Sequence, residues 1–312
     1  MEKFVALRQM EHKHYGSQVR NLIRFDRFLV RQHWKKRWIS RDIIDQYDRS
    51  KLHVAPSAHR VEMSVVRQFC RYLTHAEPRC YVPDCGQTGV MANLRIPFVF
   101  TESQVRSLLA RASELPSGTF PLRPQMYQTL FGLLYVTGMR IGEALALNVD
   151  DIDLRMRRLL IRKGKFGKAR WIPFLASTAS RLEEYLKQRL QLFPAGTDAP
   201  LFISWKAERL SHQTAGNNFR RVMRADGFPK QSRAGPTIHS IRHTFACHRL
   251  LGWYRAGLDV NALLPSLSTY MGHVAVQYTS RYIHATPELL EQANQRFLKH
   301  YRNTIKTEVS HE

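Results

Sequence analysis

The chain has 312 residues, 44% of them hydrophobic, which is long enough for two domains and apolar enough for true cores. Its 48 Lys and Arg against 25 Asp and Glu give a formal net charge of +23, an excess that suits a polyanionic partner, because Lys and Arg neutralise phosphates and release condensed counterions. No run of about 18 apolar residues, no lipidation motif and no apolar leader in MEKFVALRQMEHKHYG is present, so a membrane partner is excluded in favour of nucleic acid, and a cytoplasmic location is expected.

In chain order, residues 17–34 (SQVRNLIRFDRFLVRQHW) place Val19, Leu22, Ile23, Phe25, Phe28 and Leu29 at helical spacing. The other face of that helix carries Arg20, Arg24, Arg27 and Arg31, which reads either as a solvated face or as one laid along a DNA backbone. Residues 40–48 and 57–74 read as two further helices. Cys70, Cys80, Cys85 and Cys247 are too few for a disulfide framework. Cys80 and Cys85, with His75 nearby, have half the donors of a zinc site. The C-x4-C spacing is wide, however, and no second Cys/His pair follows, so incidental thiols are expected.

Residues 76–99 are rich in Pro, Gly and turn formers. The expected organisation is a helical domain over 1–90, a linker over 91–100, a larger domain over 101–300 and a flexible tail over 301–312. Thr101 opens the second domain with capping-box form, Gln104 standing at N3. A helix is expected over 123–137, ending at Gly138, and two short strands over 158–173 around a Gly/Lys turn. Helices are expected over 175–192, 211–225 and 237–252, and residues 258–300 read mostly helical. Thr286-Pro287-Glu288 has the form of a helix start. The fold class is therefore mainly α, with a small antiparallel sheet in the second domain.

The second domain gathers chemistry-bearing residues in compact motifs. T-G-M-R-I-G-E-A-L holds Arg140, whose planar fork matches two phosphate oxygens, and Glu143 one turn on. Taken alone, that pair is also an ordinary helix ion pair. Lys163, Lys165 and Lys168 ride the turn between the strands, where a lysine is solvated, enters a DNA groove or donates a proton. T-I-H-S-I-R-H-T-F-A places His239 and Arg242 on one helix face, with His243 four residues after His239. A metal pair is disfavoured there, since Ser240 stands where a metalloprotease motif needs Glu. Y-M-G-H-V-A-V-Q-Y-T-S-R-Y-I-H-A holds His273 and, nine residues later, Tyr282. Together these residues suit cleavage of a phosphodiester without a metal. Two arginines neutralise the pentacoordinate phosphate, a tyrosine oxygen forms the covalent intermediate, and Lys or His protonates the leaving 5′-oxygen.

The order of these motifs resembles the tyrosine recombinase (phage integrase) family, which reads Arg, Lys, His-x-x-Arg, Gly-His and Tyr along the chain. The matching residues here are Arg140, Lys165, His239 with Arg242, His273 after Gly272, and Tyr282. The motifs cover about residues 98–300. On weaker grounds the N-terminal helices resemble the family's SAM-like core-DNA-binding domain. The resemblance implies that Arg140 and Arg242 grip the scissile phosphate and that Tyr282 attacks it to leave a 3′-phosphotyrosine. Lys165 is then the general acid, His239 and His273 assist, and Glu143 supports the site. It implies no cofactor and no metal. The implied partner is double-stranded DNA with a specific core site, bound by a homo-tetramer or by a hetero-tetramer with sister recombinases. The apolar Leu289, Leu290, Ala293, Phe297 and Leu298 suit a last helix that packs on a neighbouring protomer or on the chain's own core.

Two departures from the family pattern bear on this reading. The stretch between Arg242 and His273 is longer than in compact cellular recombinases, which leans toward a mobile-element integrase used in transposition or DNA integration. Tyr278 lies four residues before Tyr282 on the same helix face, but the spacing from Gly272-His273 favours Tyr282. A type IB topoisomerase and a non-catalytic accessory DNA-binding protein are the alternatives. Relaxation of any supercoiled plasmid without a specific site marks the first. Failure of the unmodified protein to trap on a verified nicked site marks the second. The charge excess predicts that DNA affinity falls about a thousandfold or more between about 50 and 200 mM salt, measured by fluorescence anisotropy, whereas a flat response contradicts a phosphate-binding surface.

Overall fold

Apolar residues three and four apart turn the N-terminal stretch into helices. The computed structural model describes residues 1–11, 15–84, 97–162, 164, 169–228, 235–273, 275–280, 282, 288–292, 294–295 and 298. The chain divides into two units, Met1–Leu94 and Arg95–Glu312. Most of the expected linker, together with Cys85, lies outside the described residues, as does the tail over 301–312.

The first unit holds α1 (Glu2–Glu11), α2 (Gly16–Arg31), α3 (Arg41–Arg49) and α4 (Pro56–Leu73). Helix α2 buries Leu22, Phe25 and Phe28, α3 buries Ile43, Ile44 and Tyr47, and α4 adds Val65, Val66, Phe69 and Cys70. The Tyr47 ring centre lies 4.8 Å from Phe25 and 4.9 Å from Phe28, within the range of favourable aromatic pairs. Helix α1 was not expected. Its one fully buried residue is Phe4, whose ring meets Tyr15, Phe69 and Tyr72, with Val5 partly buried beside it, and a single buried residue leaves no repeat to read. Cys80 is buried, and its sulfur accepts a hydrogen bond from the Ile39 amide at 3.5 Å.

A carboxylate sits inside this first core. Glu62 is buried and accepts hydrogen bonds from the Tyr47 hydroxyl and from Lys51 Nζ at 2.8 Å, with Arg24 Nη1 at 3.5 Å. Burial pushes its carboxyl up, but the Lys51 and Tyr47 hydrogen bonds and the Lys51 and Arg24 charges outweigh that and hold it below the usual carboxylate range.

The second unit begins at α5 (Glu102–Ser113), where the expected capping box forms. Thr101 Oγ1 accepts from the Gln104 amide at 3.2 Å, and Gln104 Oε1 accepts from the Thr101 amide at 2.9 Å. Helix α6 (Arg123–Thr137) is buried on nearly every side, with Met126, Tyr127, Leu130, Phe131, Leu133 and Leu134 inside, as a helix at the centre of a core must be. It ends at Gly138, and α7 (Ile141–Ala146) follows at once. A three-stranded antiparallel sheet comes next: β1 (Ile152–Asp153), β2 (Arg158–Ile161) and β3 (Arg170–Pro173), in that order. Leu159 pairs with Ile172 and Ile161 with Arg170. Alternation sends Leu159, Ile161 and Ile172 into the core and Trp171 outward. The two-residue β1 is too short to have shown a period of its own.

Helices α8 (Ala176–Leu192), α9 (His212–Ala225), α10 (Ile238–Arg255), α11 (Val260–Met271) and the short α12 (Gln277–Ser280) complete the unit. One apolar cluster runs through α5, α6, the sheet, α8 and α9, and a second lies between α10 and α11. Tyr282 and Leu289 belong to the second, so Leu289 packs on its own chain, whereas Leu290 and Leu298 are exposed. Ala293, Phe297 and the Thr286-Pro287 helix start lie outside the described residues. Among the described residues no helix is long and apolar enough to cross a membrane.

The Glu62 network yields a pH prediction. A carboxylate held below its unfolded value stabilises the fold above about pH 4 and loses that contribution as pH falls through its folded value. Glu62→Gln is therefore expected to lower the melting temperature of the full chain at pH 7 by about 4 °C or more. The gap from the unsubstituted protein should narrow as pH drops below about 4, as followed by circular dichroism.

Candidate active site

Two helices end on left-handed glycines, and arginines gather at both ends. Gly138 (φ 60°) caps α6, and Gly272 (φ 66°) caps α11. Neither position has room for a side chain, since a Cβ would stand 2.1 Å from the Phe245 ring at Gly138 and 3.0 Å from Arg170 Cζ at Gly272. The last carbonyls of a helix have no partner within it and carry the negative end of its dipole. Here they accept from guanidinium groups. Arg242 donates to Gly138 O at 2.6 Å and Met271 O at 2.8 Å, Arg140 donates to Gly272 O at 2.9 Å, and Arg170 donates to Tyr270 O at 3.1 Å.

Glu143 binds two of these arginines together. It occupies N3 of α7, and its Oε2 accepts from the Arg140 amide at 2.9 Å. Its Oε1 accepts from Arg140 Nη1 at 3.0 Å, and Arg170 spans both oxygens at 3.1 and 2.9 Å. Burial pushes the Glu143 carboxyl up, but the Arg170 and Arg140 hydrogen bonds and charges prevail and hold it low. Two guanidinium groups thus share one carboxylate and Arg242 bonds none among the described residues, which leaves surplus positive charge at the two helix ends.

Arg242 is 2% exposed, and its partners are two carbonyls and a histidine, with no carboxylate at ion-pair distance among the described residues. Burial and then the Arg140 charge push its guanidinium down to about 10, so it stays charged at neutral pH. Its Nη2 lies 2.8 Å from His273 Nε2, and His273 Nδ1 lies 2.7 Å from the fully buried Thr279 Oγ1. The His273 ring stacks toward the Tyr282 ring, with centres 6.3 Å apart and planes at 23°. The Tyr282 hydroxyl is 3.1 Å from His243 Nδ1. His239 meets the His243 ring edge-on at 4.6 Å, and burial followed by the Arg242 and Arg140 charges lowers its pKa.

The fold therefore brings two bonded pairs, Arg140 with Glu143 and Arg242 with His273, onto adjacent carbonyls at the end of α11, with Tyr282 and His239 beside the second pair. Lys165, like Lys163 and Lys168, lies outside the described residues. The segment that carries these lysines leaves β2 at Arg162, which is anchored to Asp150 at 2.8 Å and Asp151 at 2.5 Å. Tyr278 is 54% exposed, whereas Tyr282 is buried and bonded through its hydroxyl, which separates the two candidate tyrosines. Sequence reasoning missed Arg170, His243 as a tyrosine partner, and Thr279. Arg170 stood in the second of the two expected strands, and no local pattern tied it to Glu143. His243 and His239 are joined by no third metal-binding side chain among the described residues. In the first unit Arg24, Arg27, Val30, Arg31 and Lys51 line a cleft of about 510 Å³, so three arginines of the basic α2 face gather around one depression.

The sequence profile described as the phage integrase family matches residues 99–288. A Sinorhizobium fredii protein carrying the name integrase/recombinase y4rB is 37% identical over 252 residues, 80% of this chain and 80% of that protein. A Mycobacterium tuberculosis protein named tyrosine recombinase XerD is 35% identical over 210 residues, 65% of this chain and 62% of that protein. Among solved structures, the Tn1549 transposon integrase in complex with transposon right end DNA superposes with a TM-score of 0.67 at 18% identity, covering 93% of this chain and 97% of that one. The XerH recombinase bound to a palindromic difH substrate gives 0.63 at 21% identity, covering 82% and 72%. At such identities the structural likeness concerns the fold.

The shared carboxylate can be tested by a double-mutant cycle. Arg170→Ala and Glu143→Gln are each expected to cost about 1–3 kcal/mol in urea unfolding of the full chain, because the first leaves Glu143 with Arg140 alone and the second leaves both arginines with only backbone carbonyls. Their coupling should be about 1–3 kcal/mol, and a value below about 0.5 kcal/mol would show that the pair does not support the site.

Proposed function

This chain belongs to the phage integrase family of tyrosine recombinases, and we propose that it uses Tyr282 to cut and rejoin duplex DNA at a specific core site on behalf of a mobile element. The observation that carries the reading is the buried Arg242, which has no carboxylate partner among the described residues and donates to a histidine stacked on Tyr282. A buried cation so placed is costly until an anion reaches it, and a scissile phosphate supplies that anion.

In this reading Arg140 and Arg242 neutralise charge on the pentacoordinate phosphate. The Tyr282 oxygen bonds to phosphorus as the bond to the 5′-oxygen breaks, leaving a 3′-phosphotyrosine and a 5′-hydroxyl. Lys165 protonates the leaving oxygen. His273 and His239 contact the phosphate and assist proton transfer, and Glu143 fixes the arginines. The phosphotyrosine conserves the energy of the bond, so rejoining needs neither ATP nor a metal.

The partner is double-stranded DNA, bound by four protomers that are either identical or shared with sister recombinases, and the work is done in the cytoplasm. The basic cleft around Arg24, Arg27, Arg31 and Lys51 suits a sugar-phosphate backbone. A mobile-element role is supported by the transposon integrase among the structural neighbours, by the relative named as an integrase/recombinase, and by the long connection between Arg242 and His273. The relative named tyrosine recombinase XerD keeps a cellular recombinase as the competing role.

The test uses a nicked duplex carrying the site that the protein enriches from a random library, so that the cleaved end diffuses away and the adduct accumulates. The unsubstituted protein is expected to form a covalent protein–DNA adduct on denaturing gels. Tyr282→Phe should bind the same duplex and form none. Adduct formation by Tyr282→Phe, or equal relaxation of plasmids with and without the site, overturns the reading.

A further inference from the structure

Helices α6 and α10 are tied at two points. At the first, Arg242 Nη1 donates to Gly138 O, the carbonyl at which α6 ends. At the second, His248 Nδ1 stands 3.0 Å from the Tyr135 hydroxyl. His248 lies six residues beyond Arg242 on α10, about 9 Å at the rise of an α-helix. Tyr135 belongs to the last turn of α6, three residues before Gly138. Between the two points the Phe245 ring fills the place where a Cβ on Gly138 would be. Two bonds set apart along α10, with a packed ring between them, fix its orientation on α6. The arginine alone would leave α10 free to pivot about it.

The surroundings of His248 set its hydrogen bonding. Burial lowers its pKa against the Phe100 carbonyl and the Glu102 and Glu288 charges, so the ring is neutral at pH 7. A carbonyl can only accept, so the single ring proton sits on Nε2 toward Phe100 O, and Nδ1 accepts from Tyr135. Burial likewise raises the Tyr135 pKa and keeps its hydroxyl a donor. The chain entering the second unit meets α10 at the same place. The Phe100 amide donates to the fully buried Thr244 Oγ1 at 2.9 Å, and Thr244 donates to Ser240 O at 2.8 Å. Thr244 and His248 are four residues apart, on one face of α10.

We infer that His248 and Tyr135 are positioning residues for strand cleavage: their bond holds α10 on α6 in the one arrangement that lets Arg242 meet both the Gly138 carbonyl and the phosphate. This rests on the reading of Arg242 as a phosphate ligand. The pair acts through the two helices and not on the reacting atoms. A displacement of about 1 Å at a group that aligns the reaction costs up to about 100-fold in rate. Affinity for the duplex comes from many phosphate contacts and is left almost intact. The signature is therefore slow cleavage with unchanged binding.

The experiment compares unsubstituted protein, Tyr135→Phe, His248→Leu, His248→Asn and the double variant Tyr135→Phe/His248→Leu on the nicked duplex. Duplex affinity is read by fluorescence anisotropy, and cleavage as the single-turnover rate of adduct formation at saturating protein. Tyr135→Phe removes one oxygen and keeps the packing, whatever His248→Leu does to folding. Asn returns an acceptor close to the Nδ1 position. Tyr135→Phe and His248→Leu are each expected to cleave about tenfold more slowly while binding within about threefold of the unsubstituted protein. The double variant should be no slower than the slower single one, since both remove the same bond. His248→Asn should recover most of the rate.

A slowing by Tyr135→Phe of less than about threefold overturns the inference, as do multiplying effects in the double variant. So does a loss of affinity as large as the loss of rate, or a His248→Asn rate as low as that of His248→Leu. A further measurement needs no DNA. The Gly138 amide donates to Leu134 O at 2.9 Å, and its hydrogen exchange should speed up in Tyr135→Phe. Unchanged exchange there overturns the tie itself, whereas an unsubstituted protein that forms no adduct on any duplex overturns the recombinase reading.

Discussion

Holding several guanidinium groups together without neutralising them is the constraint on which the second unit depends. Two unit charges about 5 Å apart repel by about 3 kcal/mol at the effective dielectric of a protein site. A carboxylate for each arginine would remove the repulsion and with it the attraction for phosphate. The protein instead sets one carboxylate, Glu143, between Arg140 and Arg170. The rest of the compensation comes from carbonyls at the ends of α6 and α11. A helix C-terminus carries only a fraction of a charge, so the cluster is held in place and stays electropositive. That explains why both helices must end abruptly on glycine, and why Phe245 and Arg170 pack against the places where side chains would be.

The same constraint joins parts of the chain that sequence order separates. Arg170 belongs to β3, yet it grips Glu143 of α7 and the Tyr270 carbonyl of α11. The segment bearing Lys165 enters from β2 and leaves through β3, so the strand behind that segment is tied to the carboxylate that orients Arg140. It is equally tied to the turn that presents His273. A shift of β3 therefore cannot leave the arginines undisturbed, and the hydrogen-bond set holds or loosens as a unit.

How far this was legible follows from the kind of signal each residue leaves. The helix over 123–137 and its glycine stop were readable because apolar density and a left-handed cap are local properties. Arg140, Arg242, His273 and Tyr282 were readable only as an ordered set, since each alone is an ordinary residue of a helix or turn. Arg170 and Thr279 left no signal, because their partners are 27 and 6 residues away and neither spacing is a helical contact. His243 did leave one, four residues after His239, but that spacing raised only a metal pair, which Ser240 disfavoured. The fold instead turns its Nδ1 to a hydroxyl 39 residues on. Helix α1 was hidden for the opposite reason: its apolar contact is confined to adjacent Phe4 and Val5, and periodicity needs anchors a turn apart.

Each unit also solves the problem of excess charge in the same way. A chain with a formal charge of +23 repels itself, and acids spread over the surface would relieve this only weakly, since exposed pairs are worth at most about 1 kcal/mol. Both units bury a glutamate among cations: Glu62 against Lys51 and Arg24, and Glu143 against Arg140 and Arg170. Buried there, each acid meets little screening and accepts several hydrogen bonds, so its charge counts for far more than a surface acid's. In the first unit the cations so held, Lys51 and Arg24, are also walls of the basic cleft, and in the second Arg140 is a wall of the candidate active site. The acid in each case fixes the position of the cations that face outward while leaving most of the unit's positive charge unpaired. A protein that must stay folded and yet attract a polyanion needs few acids, and it needs them inside.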